Sequence, residues 1–368
     1  MIRFTLVAGA RPNFMKIAPI IAALQQAQIK GQDIHYRLIH TGQHYEASMS
    51  DNFFQQLYIP PPDCNLGCSG GSPTEQTANI MLAFEKELLA NPTDIMLVVG
   101  DVTSTMACSI VAKKMGIPLA HVEAGLRSKD KTMPEELNRI VTDVLSDYYF
   151  TTTKEAGENL KKEGVADDKI FFVGNVMIDT LLKHRSRFIA PPIFHQLGLL
   201  TKGYFILTLH RPSNVDNLEV LLDWLAVISS NSKHYPIIFP IHPRTEKHLK
   251  QAIQSFPNLY IVPPMSYLEF NYLVEHCKAV ITDSGGITEE TTVMNVPCMT
   301  LRNTTERPET CTLGTNQLIG TEPQALVPAM QKLWAGKWQT GSQPPLWDGH
   351  AAERIVNILI QLFHGKVA

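Results

Sequence analysis

The sequence predicts an α/β protein built from two successive doubly wound domains. Short apolar runs rich in Val, Ile and Phe alternate with segments of helical periodicity, the pattern of parallel sheets covered on both faces. The alternation runs through the first half of the chain, breaks near residues 184–203, and starts again. The length of 368 residues is a little over twice the roughly 150 residues of an average domain.

In the first half, strands are expected at 4–8, 36–40, 94–99, 118–122, 148–152 and 170–173. The stretches between them carry apolar residues at helical spacing. Residues 103–115, for example, place Met106, Ile110, Val111 and Lys114 along one side. Residues 184–203, with Pro191-Pro192 and two glycines at the far end, suit a linker. The second strand set falls at 204–209, 236–241, 259–262, 279–282 and 297–301. The apolar positions Ile355, Ile358, Leu359 and Leu362 mark 351–364 as a terminal amphipathic helix. The expected domains are therefore 1–183 and 204–350.

Composition excludes several function classes. Lys plus Arg number 32 against 35 for Asp plus Glu, a net charge of −3, so no basic excess draws the chain to nucleic acid. No run approaches the roughly 18 apolar residues of a membrane helix. The apolar start, residues 1–8, stops at Gly9-Ala10-Arg11-Pro12, too short for a signal peptide. Six cysteines are too few for a disulfide scaffold; Cys64 and Cys68 form the one close pair, and nothing completes a zinc site. A reduced, cytoplasmic protein is expected.

In doubly wound sheets, ligands bind beyond the carboxyl ends of the strands, so the strand-end loops carry the functional reading. After the first strand comes Gly9-Ala10-Arg11-Pro12-Asn13-Phe14-Met15-Lys16. It matches neither a dinucleotide nor a Walker loop, but a helix start with Arg11 and Lys16 suits an anion. Two solvated cations are the plain alternative. Asp101 follows the apolar run 94–99 and could cap the next helix. Glu123 follows the next strand beside Gly125, with Arg127 close in sequence. Pro134-Glu135-Glu136 opens a helix, and a surface i,i+4 pair of Glu135 with Arg139 is the plain reading there. Three carboxylates at neighbouring strand ends are harder to dismiss together, because like charges gathered in one place are costly unless a task requires them.

The second half has its own set. His210 and Arg211 end one strand and His242 ends the next. Asp283-Ser284-Gly285-Gly286 leads from a strand into a helix, where backbone N–H groups can cradle phosphate. Glu290 lies about a turn further on, placed for two ribose hydroxyls, and Arg307 follows the next strand. Phosphate plus ribose indicates a nucleotide.

In order along the chain, GARPNFMK, TGQH, GDVTST, HVEAGLRS, MPEELNR, GNVMIDTL, LHRPSN, DSGGITEE, TTERPE and the closing DG-x-AAERI resemble the UDP-N-acetylglucosamine 2-epimerase family, non-hydrolysing bacterial type. The resemblance covers nearly the whole chain. It implies two Rossmann-like domains facing a cleft, as in B-type glycosyltransferases, with residues 351–368 packing back on the first domain. It implies C2 epimerisation of UDP-N-acetylglucosamine to UDP-N-acetylmannosamine by elimination and re-addition of UDP. By this resemblance Asp101, Glu123, Glu135 and His210 are catalytic, with Asp101 and Glu135 on the proton work and Glu123 stabilising charge. Arg11, Lys16, Arg139, Phe270, Ser284, Gly285, Gly286, Glu290 and Arg307 would bind the UDP-sugar, although Phe270 could equally be core. No cofactor and no metal are implied, and a homodimer is expected. Some relatives hold an activating second UDP-sugar, for which Gln43, His44, Arg211 and His242 are the candidates. The loop 65–74 lacks the basic residue of those relatives, so weak activation or none is expected.

Four alternatives stand beside this. A hydrolysing 2-epimerase would release UDP and N-acetylmannosamine. A 2-epimerase of a UDP-diacetamido-uronic acid should differ around Thr305-Glu306-Arg307-Pro308-Glu309, which is intact here. A non-catalytic UDP-sugar sensor would not need three acids. A glycosyltransferase would need an acceptor site, of which the sequence carries no sign.

Overall fold

The computed structural model describes residues 1–43, 54–241 and 255–363, apart from the side chains of Pro212 and Ser213. The chain divides into two units, one of Met1–Lys183 with Pro345–Ala368 and one of His184–Pro344.

The first unit holds seven parallel strands in the order β3-β2-β1-β4-β5-β6-β7. They are β1 Ile2–Ala8, β2 Ile34–His40, β3 Cys64–Asn65, β4 Ile95–Val99, β5 Leu119–Val122, β6 Tyr148–Thr151 and β7 Ile170–Phe172. The chain winds outward from β1 to β3 and then returns to lay β4 on the other side of β1. The sheet's topological switch point is therefore between β1 and β4. Strand β4 is buried at every residue, which is why it reads as a continuous apolar run. The two-residue β3 was not expected, because it is too short to leave a periodic pattern.

Among the described helices of this unit are α1 Arg11–Ile29, α2 Pro73–Ala90, α3 Thr103–Lys114, α4 Pro134–Leu145, α5 Lys154–Lys162 and α6 Val176–His184. A capping box starts α2: Ser72 Oγ accepts from Glu75 N–H at 3.2 Å, and Glu75 Oε2 accepts from Ser72 N–H at 2.8 Å. The face of α3 differs from the one its spacing indicated. Its inner face is Ala107, Cys108, Val111 and Ala112, while Met106 and Ile110 are half-buried and Lys114 is exposed. Small inner side chains bring α3 close to the sheet between α2 and α4, so residue size decided the buried face.

The C-terminal helix Ala351–Phe363 packs on α1 within the first unit. Residues 345–350, expected in the second domain, also belong here: Trp347 is fully buried and its Nε1–H donates to Thr152 O at 3.2 Å. Asp179 on α6 accepts from Ala351 N–H at 3.1 Å and Ala352 N–H at 2.7 Å, satisfying two of the helix's free donors. Burial raises the Asp179 carboxyl to about 6, against the pull of those two N–H groups. An acid raised in the folded state contributes stability that is full below its unfolded value near 4 and is lost as pH rises through the folded value. Asp179→Asn should therefore gain on the unmodified protein by roughly 1–3 kcal/mol between pH 4 and pH 7, as a shift of about two units dictates. Urea unfolding of both proteins at the two pH values checks this; an equal difference at both would contradict it.

The second unit holds six parallel strands in the order β10-β9-β8-β11-β12-β13. They are β8 Phe205–Thr208, β9 Ile237–Pro240, β10 Leu259–Val262, β11 Ala279–Thr282, β12 Cys298–Thr300 and β13 Asn316–Leu318. The switch point lies between β8 and β11. Its core gathers Phe205, Leu207, Trp224, Phe239, Ile281, Met299 and Met330. The polar sequence Asn316-Gln317-Leu318 hid β13 from pattern reading. Residues 184–203 are not a bare linker. They form a 3-10 turn at Arg185–Arg187 and helix α7 Pro192–Gln196, with Phe194 edge-on to Tyr204 and Tyr272 and Leu199 buried. The remaining helices among the described residues are α8 Pro212–Val215, α9 Leu218–Asn231, α10 Tyr267–His276, α11 Gly285–Met294, α12 Pro308–Thr312 and α13 Leu326–Trp334. No described helix is long and apolar enough to cross a membrane.

Candidate active site

In the first unit the polar residues collect where β1, β4 and β5 end. Asn13 ties the β1 and β4 ends together: its Oδ1 accepts from Ala10 N–H at 3.0 Å and its Nδ2–H donates to Val99 O at 3.0 Å. Only glycine fits at position 9, because a Cβ there would lie 1.9 Å from Ser104 Oγ. The close turn starts α1 with Arg11 exposed at its first position and no acid in its first turn, which suits an anion.

Lys16, one turn and a half into α1, is buried and its Nζ meets Glu123 Oε2 at 2.5 Å. Glu123 is wholly buried and adopts a left-handed backbone, φ 69°. A non-glycine residue held there carries local strain of the kind found at functional positions. Arg127, close to Glu123 in sequence, turns away to pair with Asp143 and Glu163. Asp143 also meets His121 Nδ1 at 2.6 Å and accepts from Gly125 N–H at 3.0 Å, bracing the loop that carries Glu123. Burial opposes its ionisation, but His121 and Arg127 hold the Asp143 carboxyl below the usual range.

Asp101 does not cap α3. The N-cap is Val102, and Ser104 N–H at the helix start donates instead to Gln43 Oε1 at 3.0 Å. Asp101 pairs with Arg139, and its carbonyl accepts from Asn138 Nδ2–H at 2.9 Å. The surface pair of Glu135 with Arg139 is absent. Arg139 is 1% exposed, points into the protein and has Asp101 and Glu136 as its acids. This places its guanidinium against the Asp101 carboxylate. Glu136 is also buried, accepting from Ser128 and Lys129 N–H groups at 2.9 and 3.0 Å. Glu135 is exposed in the first turn of α4, with no hydrogen-bond or ion-pair partner among the described residues. The three carboxylates thus occupy three settings: Glu123 buried on a lysine, Asp101 half-buried on an arginine, and Glu135 in solvent.

In the second unit, β8 and β11 are neighbours with Thr208 opposite Thr282, so His210 and Asp283 emerge side by side. His210 Nδ1 lies 2.6 Å from Asp283 Oδ1. Ser284 is the N-cap of α11, and its N–H donates to Thr282 Oγ1 at 2.9 Å. A side chain at Gly286 would meet no heavy atom within 4 Å, so a ligand can approach the helix start closely. Glu290 Oε1 accepts from Tyr267 O–H at 2.9 Å; burial, and then that carboxylate, push the Tyr267 hydroxyl far up. Phe270 is half-buried on the first turn of α10.

Arg307 is buried and pairs with Glu289. Arg302 makes two 3.0 Å bonds to Glu306, and although burial opposes it, this holds the Glu306 carboxyl down at about 2. Asp283, Glu289, Tyr267 and Arg302 were missed as supports by sequence reading. Asp283 alone left a signal, a strand-end carboxylate before Ser-Gly-Gly. Of the second-site candidates, Gln43 is engaged by Ser104, the backbone N–H of Arg211 donates to Asp283 at 2.9 Å, and His44 and His242 lie outside the described residues. Among the described residues no group of three His, Cys, Asp or Glu could hold a metal.

Two all-parallel α/β units, each with its polar residues at the switch point of its sheet, define a Rossmann-type enzyme of the B-type glycosyltransferase-like class. The chain belongs to the UDP-N-acetylglucosamine 2-epimerase family, whose sequence model matches residues 27–360. It is 40% identical to the UDP-N-acetylglucosamine 2-epimerase of Methanocaldococcus jannaschii, over 97% of this chain and 98% of that one. A crystal structure of the M. jannaschii enzyme in complex with UDP-GlcNAc and UDP is similar at a TM-score of 0.87, with 39% identity, covering 98% of this chain and 100% of that one. The UDP-2,3-diacetamido-2,3-dideoxy-D-glucuronate 2-epimerase of Pseudomonas aeruginosa is 36% identical, over 97% of this chain and 99% of that one.

Proposed function

We propose that the protein interconverts UDP-N-acetylglucosamine and UDP-N-acetylmannosamine. The observation that carries this reading is the trio of Asp101, Glu123 and Glu135 in three distinct settings at the strand ends of one sheet. The C2 proton of the sugar has no neighbouring carbonyl to acidify it. Elimination meets that difficulty: a carboxylate takes the C2 proton, the C1–O bond to UDP breaks, and a C1–C2 double bond forms. UDP then returns to C1 and the proton returns to C2 on the other face.

Glu135, unencumbered, and Asp101 supply the proton transfers. Buried Glu123 faces the positive charge that grows at C1. Arg11 and Lys16 attract the anionic end of the substrate. In the second unit the α11 start receives the diphosphate, Glu290 the ribose and Phe270 the base, while His210 serves the departing phosphate.

One observation favours the N-acetylhexosamine over a uronic acid. Arg302 and Arg307 are already paired with Glu306 and Glu289, so the segment after β12 carries no surplus positive charge for a sugar carboxylate. Incubation with UDP-N-acetylglucosamine, followed by NMR, should yield both UDP-sugars at equilibrium. Accumulation of free N-acetylmannosamine and UDP would point to hydrolysis instead.

The protein acts as a homodimer in a reducing, cytoplasmic setting, in accord with six free thiols. Helices α2, α3 and α4 lie side by side in the first unit. They expose Leu82 and Leu89 on α2 and Leu137 and Val144 on α4, around the half-buried Met106 and Ile110 of α3. Three helices about 10 Å apart, one of 18 residues and two of 12, are about 27 Å and about 18 Å long and present roughly 600 Å², the lower end of the area per partner of a standard stable interface. A second copy of the chain is the occupant argued for. Leu89→Glu with Val144→Glu should convert the dimer to monomer in sedimentation; an unchanged dimer would place the interface elsewhere.

A further inference from the structure

We propose that Asp283 is a positioning residue that fixes the tautomer of His210, so that Nδ1 always carries a proton and Nε2 is the atom that exchanges protons with the bound molecule. The inference deepens the role given to His210 above and rests on that reading for its catalytic consequence.

The geometry starts from the sheet. Adjacent strands β8 and β11 end in register at Thr208 and Thr282, and two residues later and one residue later the chain presents His210 and Asp283. The Asp283 side chain is wholly buried, whereas that of His210 is 60% exposed. One carboxylate oxygen, Oδ1, faces His210 Nδ1 at 2.6 Å. The other, Oδ2, accepts from Arg211 N–H at 2.9 Å and Asn214 Nδ2–H at 3.0 Å, while His210 N–H is shared between Oδ2 at 3.1 Å and Oδ1 at 3.2 Å. Burial disfavours the Asp283 anion, but the His210 ring and these donors hold its carboxyl below the ordinary value. An anionic oxygen 2.6 Å away can only accept, so Nδ1 must donate. The exposed edge of the ring then presents Nε2, free to accept a proton in the neutral imidazole and to give one in the imidazolium.

The asymmetry of the two oxygens predicts what a neutral isostere does. In Asp283→Asn the amide oxygen must stay on the Oδ2 side, because an NH₂ there would face the N–H groups of Arg211 and Asn214, which reach no other oxygen of this side chain. The NH₂ then faces His210 Nδ1, which becomes an acceptor and pushes the proton to Nε2. An analogous tautomer inversion in serine proteases lowers kcat about 10⁴-fold.

The test has two readouts. Nitrogen-15 NMR of histidine-labelled protein, without any substrate, should show the neutral form of His210 with its proton on Nδ1, and Asp283→Asn should move that proton to Nε2. A neutral His210 protonated on Nε2 in the unmodified protein overturns the proposal even if the variant cannot be made to fold. With UDP-N-acetylglucosamine, Asp283→Asn should lower kcat by about 10²–10⁴ with KM changed by less than about threefold. His210→Asn combined with Asp283→Asn should be no slower than His210→Asn alone, because the two act as a unit. Full turnover with an inverted tautomer would also overturn the proposal. An absence of epimerase activity in the unmodified protein would instead strike the function assigned above, since the NMR readout stands without it.

Discussion

Glu135→Gln should lower kcat by at least about a hundredfold, the usual scale for a proton-transferring group, and leave stability untouched. The second half follows from its setting: Glu135 is exposed at the start of α4 with no side-chain partner among the described residues, so nothing folded depends on its charge. Asp101→Asn should cost as much in turnover but not come free of structural cost. It removes the acid paired with Arg139, whose guanidinium is buried and keeps Glu136 only at 3.8 Å. A loss of about 1–3 kcal/mol is expected, the penalty for leaving a buried donor poorly paired. Steady-state kinetics and urea unfolding on both variants separate the two effects. Near-normal kcat in Glu135→Gln would remove it from the proton chemistry.

Glu123→Gln should produce the largest structural effect of any single change in the site. The Lys16–Glu123 pair is buried on both sides at 2.5 Å. Removing one partner strands a charge in the interior and costs about 3–5 kcal/mol. Lys16→Met, which keeps the length of the stem, should cost a similar amount. The double variant should recover most of the loss, because two neutral side chains replace two charges. It should stay inactive, since neither the carboxylate nor the ammonium remains. Recovery of stability without recovery of turnover is the expected pattern. If instead the double variant were as unstable as the sum of the singles, the pair would not be coupled in the way its geometry indicates.

Most of the fold was legible because parallel strands buried on both faces leave apolar runs, unbroken in β4 and nearly so in β11. What escaped lacked that signal: β3 has two residues, and β13 is mostly polar. The helix α3 was found, yet its buried face was misjudged because small Ala and Cys, not the larger Met and Ile, pack inward. At the site, the residues at strand ends were legible as types in positions. Their partners were not. Lys16 with Glu123 spans 107 positions and His210 with Asp283 spans 73, and only the winding of the sheets brings them together. Local readings failed where a long-range partner competed: Arg139 left Glu135 for Asp101, and Asp101 left the helix cap for Arg139.

The central claim is that the C2 proton leaves and returns. Incubation with UDP-N-acetylglucosamine in deuterated water, with the products read by NMR and mass spectrometry, tests it directly. The account predicts deuterium at C2 in both UDP-N-acetylmannosamine and recovered UDP-N-acetylglucosamine, with both UDP-sugars intact at equilibrium. Epimerised product that retains the original C2 hydrogen, or UDP-sugar returned unchanged and unlabelled, would contradict it.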